Sequence, residues 1–191
     1  GDLIDKLAWL PQVCERLTTF AKQIPDGVDF ILGNHEYHHD VNKVLDSLKR
    51  NTPMNILVNS NIQIMGGKQP VYIAGVAYDN DRKKDNREVM INKALSGIPD
   101  YAFVILLAHH PEFFEESIER KIPLTLSGHT HGGQIVFMGM PLVPTGTPYT
   151  KGRYVEEQSV CYVNNGTGHW FPIRINCPRE ITVITFFDGV A

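Results

Sequence analysis

The chain has 191 residues, 42% hydrophobic and 20% charged, which suits a globular domain able to bury a sizeable core. Its 18 basic and 21 acidic residues give a formal net charge of −3, and with no long Lys/Arg run to follow a phosphate backbone, nucleic acid is not expected as a partner. Cys14, Cys161 and Cys177 are widely spaced without a C-x-x-C pattern, which argues against a zinc knuckle or a disulfide framework, and no apolar run has the roughly 18 residues of a transmembrane helix or the form of a signal peptide.

In chain order, Leu7, Leu10, Val13, Cys14, Leu17, Phe20 and Ile24 recur at three- and four-residue spacing. This predicts an amphipathic helix from about 3 to 24, ended by Pro25 and Gly27. "VDFIL" is a buried strand, and a short helix follows around 41 to 50. "MNILV", "NIQIM" and "VYIAGVAY" have strand character, the last two separated by the turn signal "GGKQP". The polar "DNDRKKDNRE" leads into a helix ending near Gly97. "AFVILLA" is a strand, "PEFFEESIER" a helix with Phe113 and Phe114 in the core, and "PLTL" a short strand. Gly, Pro and Thr mark a long loop from about 139 to 152, after which "SVCYVN" and "EITVITFF" are expected as closing strands.

Three of these apolar runs end in metal-capable residues. "VDFIL" runs into Gly33-Asn34-His35-Glu36, "AFVILLA" into His109-His110, and "PLTL" into Ser127-Gly128-His129-Thr130-His131. In open α/β sheets functional groups gather beyond the carboxyl ends of strands, where loops aim several side chains at one point. Carboxylate, amide and imidazole donors together suit Mn, Fe, Zn or similar ions. Two ions about 3.5–4 Å apart form the clamp used in phosphoester hydrolysis. Gly128, Gly132 and Gly133 would let the backbone bend around such ions.

Four stretches in order, "GDLID" at 1–5, "GNHE" at 33–36, "LLAHHP" at 106–111 and "GHTHGG" at 128–133, resemble signature blocks of the calcineurin-like metallophosphoesterases. "LSGHTHGGQI" and "YVNNGTGHWFPIRINCPREITVITF" are similar to a bacterial, commonly membrane-associated branch. The resemblance implies an α/β fold, a four-layer α/β/β/α sandwich of two mixed sheets. It implies a phosphodiesterase or phosphatase that attacks phosphorus with a metal-bound hydroxide at a dinuclear site, using two divalent ions such as Mn, Fe or Zn. By matched position Asp2 bridges both ions, Asn34, His109 and His129 complete the second site, and His131 belongs to the first. His35 corresponds to the non-ligand histidine that stabilises the transferring phosphoryl group or protonates the leaving oxygen, and Asp5 to the carboxylate that orients it. The implied partner is a phosphoester, with a lipid-linked one and peripheral membrane contact suggested by the branch.

The family begins with a strand ending in Asp-x-His, and no Asp-x-His precedes "GDLID" here. The expectation is a single domain over 1–191, N-terminally truncated and lacking the first strand, that holds one ion or none while its parent holds two. A non-catalytic, metal-depleted relative that binds a phosphorylated ligand is the alternative. A metallo-β-lactamase type of site lacks its H-x-H-x-D-H string. His110 is expected to line the cleft or pack, His38 and His39 to lie in an exposed loop, and His169-Trp170 and Asn164-Asn165-Gly166 to form turns. Loops 78–88 and 137–158 are expected to recognise the leaving portion of the substrate.

Overall fold

The computed structural model describes residues 1–64, 69–78 and 83–187. In chain order it contains α1 (Leu10–Ala21), β1 (Asp29–Ile31), α2 (Asn34–Tyr37), α3 (Val41–Asn51), β2 (Asn55–Leu57), β3 (Ser60–Ile64) and β4 (Val71–Gly75). These are followed by α4 (Lys84–Ala94), β5 (Phe103–Leu107), α5 (Phe113–Glu119), β6 (Leu124–Ser127), β7 (Val136–Phe137), β8 (Met140–Pro141), β9 (Gly152–Glu156) and β10 (Ser159–Val163). The turn signal at 66–70 and the polar run at 79–88 lie partly outside the described residues.

The larger sheet is mixed and six-stranded, in the order β3-β4-β5-β6-β10-β9. Its four central strands run parallel, and β3 and β9 add antiparallel edges. The continuous apolar run of β5 matches its central position, where both faces are covered. One face carries Ala74, Val104 and Leu106 against Ile91 and Ala94 of α4 and Phe113 of α5. A smaller sheet, the parallel pair β1 and β2, lies over the opposite side. Gly75 is where the two sheets touch: a Cβ there would stand 2.4 Å from Leu57 Cβ and 2.7 Å from Ile31 Cγ2. Beyond the smaller sheet, α1 and α3 pack Leu10, Cys14, Val44 and Leu48 onto Leu32 and Met54. The layers therefore run helix, sheet, sheet, helix, and the carboxyl ends of β1, β5 and β6 open at one rim.

Three expectations change. The first helix begins at Leu10, after a single 3₁₀ turn over Leu7–Trp9, not at residue 3. The backbone N–H groups of Asp2, Leu3 and Ile4 donate to the buried Glu36 carboxylate, so they are drawn across the fold before a helix can begin. The loop after Ile135 contains the small hairpin β7–β8, and strand β9 follows where none was expected. The tail 180–187 forms no strand. Alternating apolar residues specify a strand only where an edge accepts its hydrogen bonds; Ile181, Val183 and Phe187 are instead 85%, 87% and 86% exposed. Phe113 and Phe114 are buried, as expected.

Candidate metal centre

Five chemistry-bearing side chains sit shortly after the end of a strand. Asn34 and His35 open α2 directly after β1, His109 follows β5, and His129 and His131 follow β6. Asp2, His129 and His131 have φ of 59°, 66° and 52°, in the left-handed region that non-glycine residues seldom adopt. Such backbone strain gathers at functional sites, where the surrounding structure holds it in place.

Three donor atoms form a near-regular triangle. Asn34 Oδ1 is 3.2 Å from His109 Nε2 and 2.9 Å from His129 Nδ1, and the two nitrogens are 3.2 Å apart. Asp2 Oδ2 stands 3.1 Å from His109 Nε2 and extends the group to four. Ligands at 2.0–2.2 Å from one ion are separated from each other by about 2.8–3.6 Å across octahedral and tetrahedral arrangements, so this spacing suits a common cation. Two imidazoles, an amide and a carboxylate are a donor set for Mn, Fe or Zn.

The protonation states agree with that use. Burial raises the Asp2 carboxyl, but the His109 hydrogen bond and charge and the His35 backbone N–H more than offset it, holding the group well below the usual carboxylate range. Burial pushes the His109 imidazole down despite the neighbouring Asp2. An ionised carboxylate and a neutral imidazole are the forms that bind metal.

The remaining predicted residues surround this group. His35 Nδ1 donates to Asp5 Oδ1 at 2.6 Å, and its Nε2 lies 3.9 Å from Asp2 Oδ2, so the pair stands beside the donors without joining them. His131 shares the cavity of about 380 Å³ lined by Asp2, His109, His129 and Asn165. Its Nδ1 accepts from Arg174 Nη2 at 3.3 Å, the ring bonds the Gly168 carbonyl, and Trp170 packs 5.3 Å from it. Burial, then the Arg174 charge, push the His131 pKa down. His110 is buried and stacks on His129 with ring centroids 3.9 Å apart; its nitrogens come within 4.8 Å of those of His109 and His129.

The outlying histidines and asparagines are placed as follows. His39 Nε2 meets the Asp5 carbonyl at 3.0 Å, and the His38 ring lies 5.4 Å from His35. His169 Nδ1 faces Arg179 at 3.4 Å, and the Trp170 N–H donates to Gln134. Asn164 Oδ1 accepts from the Gly166 N–H in a tight turn. Two residues escape motif reasoning: Glu36, whose offset from Gly33 fits a helix-capping pattern, and Arg174, which no local pattern singles out.

No family model matches the chain. It is 35% identical to an uncharacterized metallophosphoesterase of Campylobacter jejuni over 192 residues, 96% of this chain and 48% of that protein. It is 30% identical to an uncharacterized metallophosphoesterase of Aquifex aeolicus over 193 residues, 97% of this chain and 70% of that protein. A "transmembrane protein with metallophosphoesterase domain" of Danio rerio is 30% identical over 96% of this chain and 44% of its own length. The chain spans about half the length of the first curated relatives it matches. The similarity to the Aquifex protein covers nearly all of this chain and most of that one, and the chain belongs to the metallophosphoesterases.

Proposed function

We propose that the chain supplies the catalytic machinery of a metal-dependent phosphoester hydrolase, a phosphodiesterase or phosphatase with a dinuclear centre. The observation that carries this reading is the triangle of Asn34 Oδ1, His109 Nε2 and His129 Nδ1, with Asp2 beside it. In this proposal those four residues hold one divalent ion, and Asp2 and His131 contribute to a second. Bound Mn, Fe or Zn would lower the pKa of coordinated water and neutralise charge on the phosphoryl oxygens. Asp5 fixes the His35 ring through Nδ1, which leaves Nε2, 3.9 Å from Asp2 Oδ2, to stabilise the phosphoryl group or to hand a proton to the leaving oxygen.

A lipid-linked phosphoester and peripheral membrane contact are part of the proposal. Phe137, Met138, Met140 and Leu142 are exposed on and beside hairpin β7–β8, which is a few residues beyond His131. A contiguous apolar patch of this sort favours an apolar partner. Among the described residues no helix is long and apolar enough to cross a membrane.

Metal analysis and turnover of a generic phosphodiester and monoester by the full-length protein, with Mn, Zn and Fe each supplied, test the reading; absence of both metal and turnover would sink it. His35→Ala should lower turnover by about 10²–10⁴-fold, the range for loss of a proton-transfer group, with metal content kept. A second reading, binding of a phosphorylated ligand without turnover, draws on the engagement of His131 Nδ1 by Arg174. Binding of inorganic phosphate by a protein that turns over neither ester would favour it.

A further inference from the structure

We infer that Glu36 is a positioning residue that locks the Asp2 loop and the Asn34 loop into one metal-binding frame. The inference rests on the assignment of Asp2 and Asn34 as ligands. Glu36 is fully buried. Both of its carboxylate oxygens are used: Oε2 accepts the N–H of Asp2 at 2.8 Å and of Gly33 at 2.7 Å, and Oε1 accepts those of Leu3 at 2.5 Å and Ile4 at 3.3 Å. Two segments more than 30 residues apart in sequence are therefore pinned to one side chain. One segment carries Asp2, and the other carries Asn34 and His35.

The two loops also approach too closely for any added atom. A Cβ on Gly33 would stand 2.2 Å from Asp2 Oδ1 and 2.8 Å from His109 Cε1. The His35 N–H closes the circuit by donating to Asp2 Oδ1 at 3.0 Å. Four convergent N–H dipoles compensate the buried carboxylate, so the charge is solvated by the two loops it joins. The left-handed backbone of Asp2 is held in place by this tie.

Glu36→Gln is the discriminating change. An amide has one accepting oxygen where the carboxylate has two, so its NH₂ group would face two N–H donors with nothing to offer them. The substitution keeps size and shape and removes the tie on one side. Mn²⁺ titrated into the folded variant should bind about 10–100-fold more weakly, the usual cost of losing a group that orients a metal ligand. The backbone amides of Asp2, Leu3, Ile4 and Gly33 should exchange with deuterium faster, while amides in β5 keep wild-type protection. A residue that merely stabilised the fold would lower Tm and leave the Mn²⁺ affinity of folded molecules alone; that result overturns the inference. Exchange of the wild-type chain without metal gives an independent reading, which decides the matter should Glu36→Gln not fold. Protected amides at 2–4 and 33 support the frame, and amides exchanging at unstructured rates overturn it. If the wild-type chain takes up no Mn²⁺, the ligand assignment falls and the inference with it, whereas loss of protection alone removes only the tie.

Discussion

The two walls of the cavity are built on different principles. On one wall, Asn34, His109 and His129 bring their donor atoms within about one ligand spacing of each other, and Asp2 stands against His109, on loops that Glu36 and close glycine contacts hold together. On the other, His131 is held largely by one long side chain, with Cys177 Sγ and Trp170 beside it. Arg174 donates to the carbonyls of His131, Asn165, Gly168 and Cys177, and also to the His131 ring. Under the proposed assignment, the first wall would present ligands to an incoming ion with little left to rearrange. The second holds an imidazole whose Nδ1 already accepts from a guanidinium. Preorganisation of ligands, more than their number, thus separates the walls.

The largest effect should come from breaking the first wall. His129→Ala removes a corner of the triangle and should weaken Mn²⁺ binding by more than the about 100-fold that loss of an outer partner costs at most, as read by calorimetric titration. His131→Ala should cost clearly less; equal losses would mean that the walls are not distinct. Next comes Gly33→Ala. Gly33 has φ of −106°, a value open to any residue, so its need for glycine is steric alone. The added Cβ would displace Asp2, and we expect about tenfold weaker Mn²⁺ binding with about 1–3 kcal/mol of destabilisation from overpacking. Unchanged metal binding would show that the Asp2 loop has room to yield.

How much of this was legible in the sequence follows from where the information lies. The candidate donors of the first wall lie inside short motifs, most of them at strand ends, so residue type and order singled them out as candidates. The wall's support did not show. The "GNHE" glutamate reads as an ordinary helix-start acid until its four N–H partners are seen. The same long-range tie cut short a helix that the periodicity of Leu7, Leu10 and Cys14 had predicted from residue 3. Arg174 is harder still, since its partners are backbone carbonyls, which carry no sequence signal. The tail 180–187 alternates like a strand, yet a strand is a property of a pair, and one segment's pattern cannot reveal whether an edge awaits it.

A smaller effect should follow from the second wall. Arg174→Ala deletes several hydrogen bonds from a half-buried guanidinium, with water able to replace part of them, so we expect about 1–3 kcal/mol of destabilisation by thermal unfolding. The His131 imidazole, relieved of its donor and of the neighbouring positive charge, becomes a better ligand. Mn²⁺ affinity should therefore hold or rise in folded Arg174→Ala protein, opposite to the loss at Glu36. A fall in affinity as large as that of Glu36→Gln would make Arg174 a second brace of the same kind.

The smallest effect concerns how the second wall's supporting segment is tied down. Glu180 accepts hydrogen bonds from the Tyr162 hydroxyl, from Thr182 Oγ1 at 2.6 Å and from the Asn165 N–H at 3.1 Å, and Asn165 is itself held by Arg174. Burial alone would raise the Glu180 carboxyl, but the bonds from Thr182, Tyr162 and Asn165 together hold it below its ordinary value. A carboxyl depressed in the folded state contributes stability that is fully present above the unfolded value of about 4.3 and is lost as pH falls through the lower folded value. The Asn165 amide resonance should therefore titrate with a midpoint below that of an unperturbed glutamate, and Glu180→Gln should abolish the transition. A midpoint at or above the ordinary glutamate value would mean that the carboxylate does not hold this turn.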